Sequence, residues 1–423
     1  MKTLIVGGGG REDALAWKLS KSPLVTKIYT APGNAGTRLY GENVAIAPDD
    51  IPGLLAFALE KSIDLTVVGP ELPLTLGIVD AFRSEGLLIF GPTREAAAIE
   101  GSKAFCKEML SAAGIPTADY ETFNNAEEAL QYLSTATLPL VVKADGLAAG
   151  KGVIICHTRA EAGEAVNLIM GERAFGEAGE NIIIEDFLEG EEASYLAITD
   201  GVGVAALAPA QDHKAVFEGD KGPNTGGMGA YSPAPIIPPL LEEKILETII
   251  RPLIKAMDEA GKRYSGVLYA GLMVSKTGGL KVLEFNCRFG DPECQPIMMR
   301  LEDDLFEILL GAAKGELGDR KLNWSDKHSI CVVMASAGYP GSYEKGLPIR
   351  GLDEVTKMKD VLVFHAGTRI SNGDVLTAGG RVLGVTGLGT DIGEARALTY
   401  EAVEKISFKG AYYRKDIGEK ALR

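Results

Sequence analysis

The sequence has few cysteines and histidines, no long apolar run and no excess of positive charge. Its five cysteines are an odd number without the spacing of a metal site, so we expect buried, reduced thiols of a cytosolic protein. No apolar stretch approaches the ~18 residues of a membrane span. Met1 leads directly into an apolar strand without a signal peptide. These absences predict a cytoplasmic, soluble chain.

The net charge of the chain limits which classes of molecule it is expected to bind. The formal net charge is −15, which argues against a nucleic-acid or an anionic-membrane partner. Any phosphate group must therefore be bound by local groups. The 52 glycines exceed average usage and cluster in loops such as Gly7–Gly10 and Gly226–Gly229. Loops of this kind let backbone N–H groups approach a phosphate closely.

The first part of the chain alternates short apolar strands with helices, which predicts a doubly wound parallel sheet. The total length of 423 residues predicts about three or four domains. The predicted strands are Lys27–Thr30, Leu65–Gly69 and Leu87–Phe90 after a first strand at Thr3–Val6, and the predicted helices are Ala14–Leu19, Ile51–Lys61 and Thr75–Ser84.

The glycine loop after the first strand is the first candidate binding site. It precedes a helix N-terminus, where backbone N–H groups bind anions. A dinucleotide fingerprint is incomplete, because Glu12 occupies the third glycine position and no acidic residue ends the second strand. We predict a small phosphate-bearing ligand, although tight turns alone would also explain the glycines. The predicted contacts are Gly8, Gly9, Gly10, Arg11 and Glu12, with Pro70 and Glu71 at a neighbouring strand end.

A second glycine-rich loop follows Lys143, at the end of the apolar strand Pro139–Lys143. A Walker A loop has four residues between its glycine and its Gly-Lys pair, whereas this loop has three. It also connects to another strand, Val153–Cys156, where the Walker A loop would precede a helix. The pattern predicts a hairpin that folds over a triphosphate.

Glu284 and Asn286 form the third candidate site. They are two residues apart at the end of an apolar strand, so both side chains point to one face. Carboxylate and amide oxygens suit Mg²⁺, which commonly takes one or two protein ligands and completes its shell with water and phosphates. Arg288 follows and can fork onto a carboxylate or a phosphate. The alternative is a strand that ends in a charged surface turn.

The order of these motifs resembles the ATP-grasp superfamily. Lys143, its hairpin, the acidic segment Glu185–Glu192 and the Glu284/Asn286 pair occur at similar separations. Alone, the acidic segment would fit either an adenine slot or a solvated loop. Three further segments resemble the glycinamide ribonucleotide synthetase family, and the likeness covers essentially the whole chain. They are Gln211–Lys214, Gly222–Pro233 and Arg288–Glu293.

The resemblance implies roles for individual residues. ATP-binding residues would be Lys103, Lys143, Gly150, Lys151, Gly152, Glu185, Phe187, Leu188 and Glu192. Catalytic residues would be Arg288, Asp291, Asp212 and Lys214, and further substrate contacts would be Asn224 and Gly290. Glu284 and Asn286 would be the metal ligands, for Mg²⁺ or in its place Mn²⁺. Many ATP-grasp enzymes carry another acidic ligand on the preceding strand, but Gly266–Ser275 contains none.

The implied fold class is α/β and α+β multidomain. We expect an N-terminal doubly wound parallel sheet (1–101), an ATP-grasp fold with a small (102–190) and a large subdomain (191–325), and a small C-terminal α+β domain (326–423). Pro238–Ala260 and Asp303–Ala313 are predicted helices, and Ile392–Lys405 is the predicted helix of the last domain.

The implied activity is that of an ATP-dependent ligase of purine biosynthesis, acting as a monomer. It would join glycine to 5-phosphoribosylamine through glycyl phosphate, giving glycinamide ribonucleotide, ADP and phosphate. The alternatives are an ATP-grasp ligase with another carboxylate or acceptor, a nucleotide-binding regulatory protein without turnover, and an NAD-dependent oxidoreductase.

Overall fold

The N-terminal region forms a five-stranded parallel sheet with the strand order β3-β2-β1-β4-β5. The computed structural model describes residues 1–147 and 152–422 of the chain. The strands are β1 Lys2–Gly7, β2 Lys27–Pro32, β3 Glu42–Asn43, β4 Leu65–Val68 and β5 Ile89–Phe90, and the helices are α1 Gly10–Leu19, α2 Ile51–Lys61, α3 Glu71–Thr75, α4 Ile78–Ser84 and α5 Arg94–Gly101.

The position of β1 in this sheet determines where a ligand can bind. Its residues Leu4, Ile5 and Val6 are fully buried, as expected for a parallel strand covered on both faces. The chain adds β2 and β3 on one side of β1 and then crosses to add β4 and β5 on its other side. At the ends of β1 and β4, the amide of Gly69 donates to the carbonyl of Val6 over 2.9 Å. The ends of β1 and β4 therefore meet at the switch point, where open α/β sheets bind ligands.

The predicted helix Thr75–Ser84 is wrong as one continuous helix, because Leu76 and Gly77 are not helical. The chain instead forms two short helices, α3 and α4, separated by Leu76 and Gly77. Gly77 has a φ of 92°, a left-handed conformation that ends one helix and starts the next in a new direction. The prediction of Ile51–Lys61 is confirmed at both ends.

The small subdomain of the central region contains an antiparallel sheet with the order β6-β9-β7-β8. Lys143 on β7 pairs with Val153 on β8, so the predicted strand-to-strand connection is confirmed. Gly150 and Lys151 lie outside the described residues. The elements are α6 Lys103–Ala112, β6 Tyr120–Phe123, α7 Ala126–Leu133, β7 Leu140–Ala144, β8 Val153–Cys156, α8 Arg159–Val166 and β9 Ile182–Asp186.

The large subdomain is built on a second sheet with the order β11-β10-β16-β17. It also contains the hairpin β13-β14 and two strands that join the next sheet, β12 and β15. The elements are β10 Glu191–Thr199, β11 Val204–Ala206, β12 Gln211–Asp212, β13 Ala215–Phe217, β14 Lys221–Asn224, β15 Gly229–Ser232, α9 Pro239–Ile245, α10 Arg251–Glu259, β16 Gly266–Val274, β17 Leu280–Asn286, α11 Cys294–Arg300 and α12 Leu305–Lys314.

The predicted helix Pro238–Ala260 is interrupted by a wider π turn at Leu246–Ile250 between α9 and α10. Pro252 follows this turn and has no N–H to donate to the preceding turn of the helix. The wider turn accommodates the proline ring without ending the helical path.

The C-terminal region forms a sheet with the order β12-β15-β18-β22-β19, and β23 pairs with β18. Because β12 and β15 belong to it, the sheet extends to the segment that carries Asp212 and Lys214. The predicted helix Ile392–Lys405 is confirmed at both ends. The elements are β18 His328–Ser336, α13 Leu352–Val355, β19 Val361–His365, β20 Thr368–Ser371, β21 Asp374–Thr377, β22 Arg381–Gly389, α14 Ile392–Lys405 and β23 Ala411–Tyr412.

The distribution of apolar cores separates the small subdomain from the rest. Two clusters each contain buried residues of both the N-terminal sheet and the large subdomain. The sheet β6–β9 with α7 and α8 has a core of its own. Helix α6 packs with the first group, through Cys106 and Leu110. No helix of the described residues has the length and apolar character that crossing a membrane requires.

Candidate active site

Glu284 is placed near the end of β17, where several cations act on its carboxylate. Burial alone would raise the pKa of this carboxyl, but the surrounding cations hold it below its usual value. Glu284 is therefore ionised and lies in a strongly positive environment, which favours anionic ligands close by. The cations come from α6, β7, the segment after β12 and the segment after β17, and are Lys103, Lys143, Lys214 and Arg288.

Asn286 ends the same strand on the same face as Glu284. Its Oδ1 accepts a hydrogen bond from Arg288 Nη2 over 3.2 Å. The two residues thus offer one carboxylate and one amide oxygen at neighbouring positions. Among the described residues, no group of three or more His, Cys, Asp or Glu side chains has the arrangement of a metal site. A metal at Glu284 and Asn286 would need further oxygen ligands from water or phosphate, as is usual for Mg²⁺.

Arg288 connects this strand to the N-terminal region. Its Nε lies 3.2 Å from Glu71 Oε2, and its Nη2 lies 3.2 Å from Glu100 Oε1. Burial acts against the charged guanidinium, but the two carboxylates raise the pKa of Arg288 above its ordinary value. The predicted catalytic Arg288 and the predicted substrate contact Glu71 are therefore partners of each other.

Glu100, near the end of α5, was not predicted. Its Oε2 accepts the backbone N–H of Cys287 over 2.7 Å, and burial raises its pKa. Glu100 thus binds this turn twice, through a hydrogen bond to the Cys287 backbone and an ion pair with the Arg288 side chain. The sequence offers no signal for this role, because one acidic residue at the end of an alanine-rich helix is ordinary.

Lys103 lies at the start of α6, where Ser102 caps the helix. Its Nζ donates to the carbonyl of Gly146 over 3.1 Å, and burial lowers its pKa. Asp145 accepts the amide of Ala104 over 2.8 Å. These contacts attach the start of the glycine-rich hairpin to the N-terminus of α6, beside the predicted phosphate position.

Glu185 lies on β9 in a fully buried cluster with two lysines. One of its oxygens forms an ion pair with Lys143, and the other lies 2.7 Å from Lys107 Nζ. Lys107 was not predicted. Its position four residues after Lys103 on one face of a helix was the available signal. Two predicted ATP-binding residues, Lys143 and Glu185, are thus in direct contact.

Lys214 lies after β12 and forms an ion pair with Glu192, with 2.5 Å between Nζ and Oε2. Glu192, Asp212 and Glu284 raise the pKa of Lys214 well above its ordinary value, although the partial burial of its side chain acts in the opposite direction. Burial raises the pKa of Asp212, and the neighbouring carboxylates of Glu293 and Glu192 act in the same direction. Asp212 and Lys214 therefore belong to the same charged group as the predicted ribose contact and the metal ligand.

The side chain of Glu12 accepts hydrogen bonds within the glycine loop between β1 and α1. The Gly9 amide donates to Glu12 Oε2 over 2.5 Å, and Arg11 Nε donates to Glu12 Oε1 over 2.6 Å. A Cβ on Gly69 would lie 2.0 Å from the same carboxylate, so β4 must have glycine after its last residue. Glu12 replaces the third glycine of a dinucleotide fingerprint because its side chain fills the space at the switch point.

Gly9 and Gly10 face the segment Arg288–Glu293. A Cβ on Gly9 would lie 3.3 Å from Asp291 Oδ2, and one on Gly10 would lie 2.6 Å from Gln295 Nε2. Gln295 Nε2 in turn donates to Asp291 Oδ1 over 2.8 Å. The close approach of these two segments explains both glycines without reference to a ligand.

Asp291 is also held from the C-terminal sheet by Arg381. Arg381 Nη2 lies 3.0 Å from Asp291 Oδ2, and Nη1 donates to the carbonyls of Asp291 and Gly226. Burial acts to raise the pKa of Asp291, but Arg381, Arg11 and the Gln295 hydrogen bond lower it below its usual value. Arg381 was not predicted, because nothing in its local sequence relates it to a residue ninety positions earlier.

The other predicted residues lie at the edges of these clusters. Gly290 packs against Glu293, because a Cβ there would lie 2.4 Å from its Oε2. Asn224 is exposed at the end of β14, and Pro70 precedes α3. The carbonyl of Gly152 accepts the amide of Ala144 over 2.8 Å. Phe187 and Leu188 are half-buried in the segment between β9 of the small subdomain and β10 of the large one.

Family models match almost the whole chain. The N domain of phosphoribosylglycinamide synthetase matches residues 1–100, its ATP-grasp (A) domain residues 101–294, and its C domain residues 329–420. The chain belongs to the phosphoribosylglycinamide synthetase family. The resemblance carried by Arg288–Glu293 and the loops around it predicted this membership, and that prediction is confirmed.

Relatives within this family are similar over their full length. The chain is 52% identical over 425 residues to phosphoribosylamine–glycine ligase of Yersinia pestis, covering 100% of this chain and 99% of the relative. It is 52% identical over 424 residues to the ligase of Vibrio vulnificus (strain CMCP6), with the same coverage. The predicted enzyme class, a carbon–nitrogen ligase, is confirmed.

Solved structures agree with the architecture. The crystal structure of phosphoribosylamine–glycine ligase from Thermotoga maritima superposes with a TM-score of 0.86 at 34% identity, covering 99% of this chain and 100% of that one. The biotin carboxylase domain of Hydrogenobacter thermophilus 2-oxoglutarate carboxylase has a TM-score of 0.75 at 17% identity, covering 97% and 91%. The predicted fold class, with an N-terminal parallel sheet and an ATP-grasp centre, is confirmed.

Proposed function

We propose that the charged cluster at Glu284 is where this ligase activates glycine with ATP and where 5-phosphoribosylamine then attacks. The observation that carries the proposal is the convergence of Lys103, Lys143 and Lys214, from three separate elements, on one ionised carboxylate. A triphosphate and a glycine carboxylate bring several negative charges, and these lysines can neutralise them.

The donor set fits a hard cation. Glu284 and Asn286 would hold Mg²⁺ through one carboxylate and one amide oxygen, and the nucleotide phosphates would supply further ligands. The metal would neutralise charge on the phosphates during transfer. Manganese prefers the same oxygen ligands, so we propose that it can substitute.

For the nucleotide, we propose that Lys103 and Lys143 bind the phosphates and that the start of the hairpin contributes backbone amides. Adenine would lie beside Glu185, Phe187 and Leu188, where the small subdomain with its separate core connects to the large one. The Glu192 carboxylate would accept hydrogen bonds from the ribose hydroxyl groups and would keep its ion pair with Lys214.

For the acceptor, we propose that the ribose 5-phosphate lies at the N-terminus of α1, near Gly8–Glu12 and Pro70. The helix dipole and the N–H groups of the first turn favour an anion there. Arg11 adds a positive charge, and Arg288 connects this region to Asn286. The acceptor amine and the metal centre would therefore be held by adjacent residues of one segment, Asn286–Asp291.

The reaction would proceed in two steps. A glycine carboxylate oxygen attacks the γ-phosphorus of ATP, ADP leaves, and glycyl phosphate forms. The amine of 5-phosphoribosylamine then attacks the carbonyl carbon and loses a proton, and inorganic phosphate leaves with the oxygen that came from glycine. Positioning and charge neutralisation by the chain supply most of the catalysis in such a transfer.

An isotope experiment tests this proposal. With glycine labelled with ¹⁸O in its carboxylate, each inorganic phosphate should carry one heavy oxygen, and ADP release should require both glycine and 5-phosphoribosylamine. Unlabelled phosphate alongside product would contradict the glycyl phosphate step. ADP release with another carboxylate or amine in place of these two would assign a different substrate to the same fold.

We also propose that the chain acts as a cytoplasmic monomer. All five cysteines are free and buried, which suits a reducing compartment. Light scattering of the purified chain measures the mass directly, and a mass well above the 44.7 kDa of one chain would contradict the monomer.

A further inference from the structure

Lys107 is a buried lysine whose charge has no direct part in the steps above. Its Nζ lies 2.7 Å from Glu185 Oε2, while Lys143 occupies the other oxygen of the same carboxylate. The exposed fractions of the side chains of Lys107, Lys143 and Glu185 are 4%, 8% and 3%. The cluster therefore holds two ammonium groups and one carboxylate out of water.

Lys143 has two competing partners. It forms an ion pair with Glu185, and it is also one of the cations that act on Glu284 at the proposed phosphate position. When its ammonium group moves to a phosphate, Glu185 loses one of its two charged partners. A buried carboxylate without a cation is strongly unfavourable, so Glu185 then depends on its remaining charged partner to stay in place.

The contacts of Lys107 keep its ammonium group beside Glu185, where it can be the remaining charged partner. Its Nζ also donates to Thr117 Oγ1 over 2.6 Å, and Thr117 Oγ1 donates to the Val282 carbonyl over 2.7 Å. The ring of Tyr120 lies 5.3 Å from the same ammonium group. These contacts attach Lys107 to β17, the strand that carries Glu284, so it has little freedom to follow Lys143 toward a phosphate.

We propose that Lys107 is a positioning residue for ATP: it holds the Glu185 carboxylate in place and thereby releases Lys143 to bind the phosphates. This inference rests on the proposed function, in which Lys143 binds ATP. Lys107 contacts none of the reacting atoms. Its effect should therefore be on nucleotide binding and not on the chemical step.

The test compares Lys107→Met with the wild-type chain in the ligase assay and in calorimetric titration with a non-hydrolysable ATP analogue. In the variant, Lys143 is the one ion-pair partner that the described residues still offer Glu185, and binding a phosphate would draw it away from that carboxylate. We expect the KM for ATP to rise about tenfold or more and the analogue to bind correspondingly more weakly, as for loss of a charged hydrogen bond. At saturating ATP, kcat should change less than about threefold.

Two further variants separate this role from a general loss of stability. Lys18→Met removes a partly buried lysine that donates to the Leu301 carbonyl away from the site, and should leave the KM for ATP unchanged. The double variant Lys107→Met/Glu185→Gln contains no unpaired carboxylate, so it remains testable if the single variant fails to fold. It should bind the ATP analogue as tightly as Glu185→Gln alone.

Several results would overturn the inference. One is a KM for ATP within about twofold of wild type in Lys107→Met, and another is an equal loss in kcat and kcat/KM. A third is a double variant that binds the analogue about tenfold more weakly than Glu185→Gln. If the wild-type chain itself released no ADP with glycine and 5-phosphoribosylamine, the proposed function would fail instead.

Discussion

Arg381 on β22 forms an ion pair with Asp291, at 3.0 Å between Nη2 and Oδ2, and so joins the C-terminal sheet to the segment after β17. The same guanidinium donates to the carbonyl of Gly226 in the glycine-rich loop before β15. Asp291 in turn faces Gly9 across the N-terminal loop. One carboxylate therefore lies where the N-terminal, central and C-terminal regions meet, and its position depends on all three.

Replacing Arg381 by Met should impair both stability and activity. The side chains of Arg381 and Asp291 are 21% and 14% exposed, so the substitution removes the ion-pair partner of a mostly buried carboxylate. We expect the free energy of unfolding to fall by about 1–3 kcal/mol. Urea denaturation measures this change, and kcat/KM for 5-phosphoribosylamine should fall with it. In the control Arg350→Met, whose ion pair with Asp374 is exposed, stability should change by less than about 1 kcal/mol.

The Glu284 centre gives a prediction for the metal. Glu284→Gln keeps the shape of the side chain but removes its charge, so turnover at ordinary Mg²⁺ should fall at least about 100-fold. The melting temperature should change little, because Lys214 and Lys143 retain Glu192 and Glu185 as partners. Titration with Mg²⁺, alongside thermal melting, measures both effects.

Chelation offers an independent check of the same site. Removal of divalent ions with EDTA should abolish ADP formation by the wild-type chain, and added Mg²⁺ should restore it. Lys281→Gln alters an exposed residue of the same strand and should behave as wild type. Near-normal turnover of both Glu284→Gln and Asn286→Ala would show that the metal ligands lie elsewhere.

Local patterns in the sequence predict much of the fold, and they predict candidate site residues that the fold brings close together. Alternation along β17 places Glu284 and Asn286 on one face, and the apolar periodicity of Ile392–Lys405 predicts that helix at both ends. In these cases the information lies within a few residues. The break at Gly77 was missed because a single glycine inside an apolar pattern does not reveal its φ.

The missing members of the site are residues that act over long distances in the sequence. Lys107 reaches Glu185 from another element, Glu100 reaches Arg288 from the N-terminal region, and Arg381 reaches Asp291 from the C-terminal sheet. Their partners are determined by tertiary packing and not by spacing. Local sequence patterns indicate the charges expected to bind substrates, but they carry no signal for the charges that keep those side chains in place.

The glycine loop yields a prediction about the acceptor. A Cβ on Gly10 would lie 2.6 Å from Gln295 Nε2, so Gly10→Ala should displace Gln295 and disturb Asp291. We expect the KM for 5-phosphoribosylamine to rise about tenfold and the KM for ATP to change less than about twofold. Steady-state kinetics with each substrate varied in turn measure the two effects. A larger effect on ATP would place the nucleotide, and not the acceptor, at this loop.

A neutral variant serves as the control for this experiment. A Cβ on Gly171 would have no atom of the described residues within 4 Å, so Gly171→Ala should leave both KM values unchanged. It also tests whether the alanine substitution itself, through its effect on the unfolded chain, changes the activity measured. Parallel loss of activity in Gly171→Ala would invalidate the assignment of the Gly10→Ala effect to the loop.

His365 at the end of β19 is buried where the C-terminal sheet meets the N-terminal region. Its backbone N–H donates to Asp13 Oδ2 over 2.7 Å, its carbonyl accepts from Asn34 Nδ2, and its ring Nδ1 lies 3.1 Å from Thr368 Oγ1. Burial lowers the pKa of the imidazole from 6.5 to about 4. The ring is therefore neutral in the folded chain at neutral pH.

This shift predicts how stability depends on pH. Between the folded pKa of about 4 and the unfolded value of 6.5, the unfolded chain binds more protons, so this part of the stability is complete above pH 6.5 and is lost as the pH falls. From about pH 7.5 to about pH 5 the loss is about 2 kcal/mol, and His365→Gln should remove it while keeping the backbone contact to Asp13. Urea denaturation at both pH values, with the exposed His157→Gln as control, measures the difference. Equal pH dependence in wild type and His365→Gln would contradict the prediction.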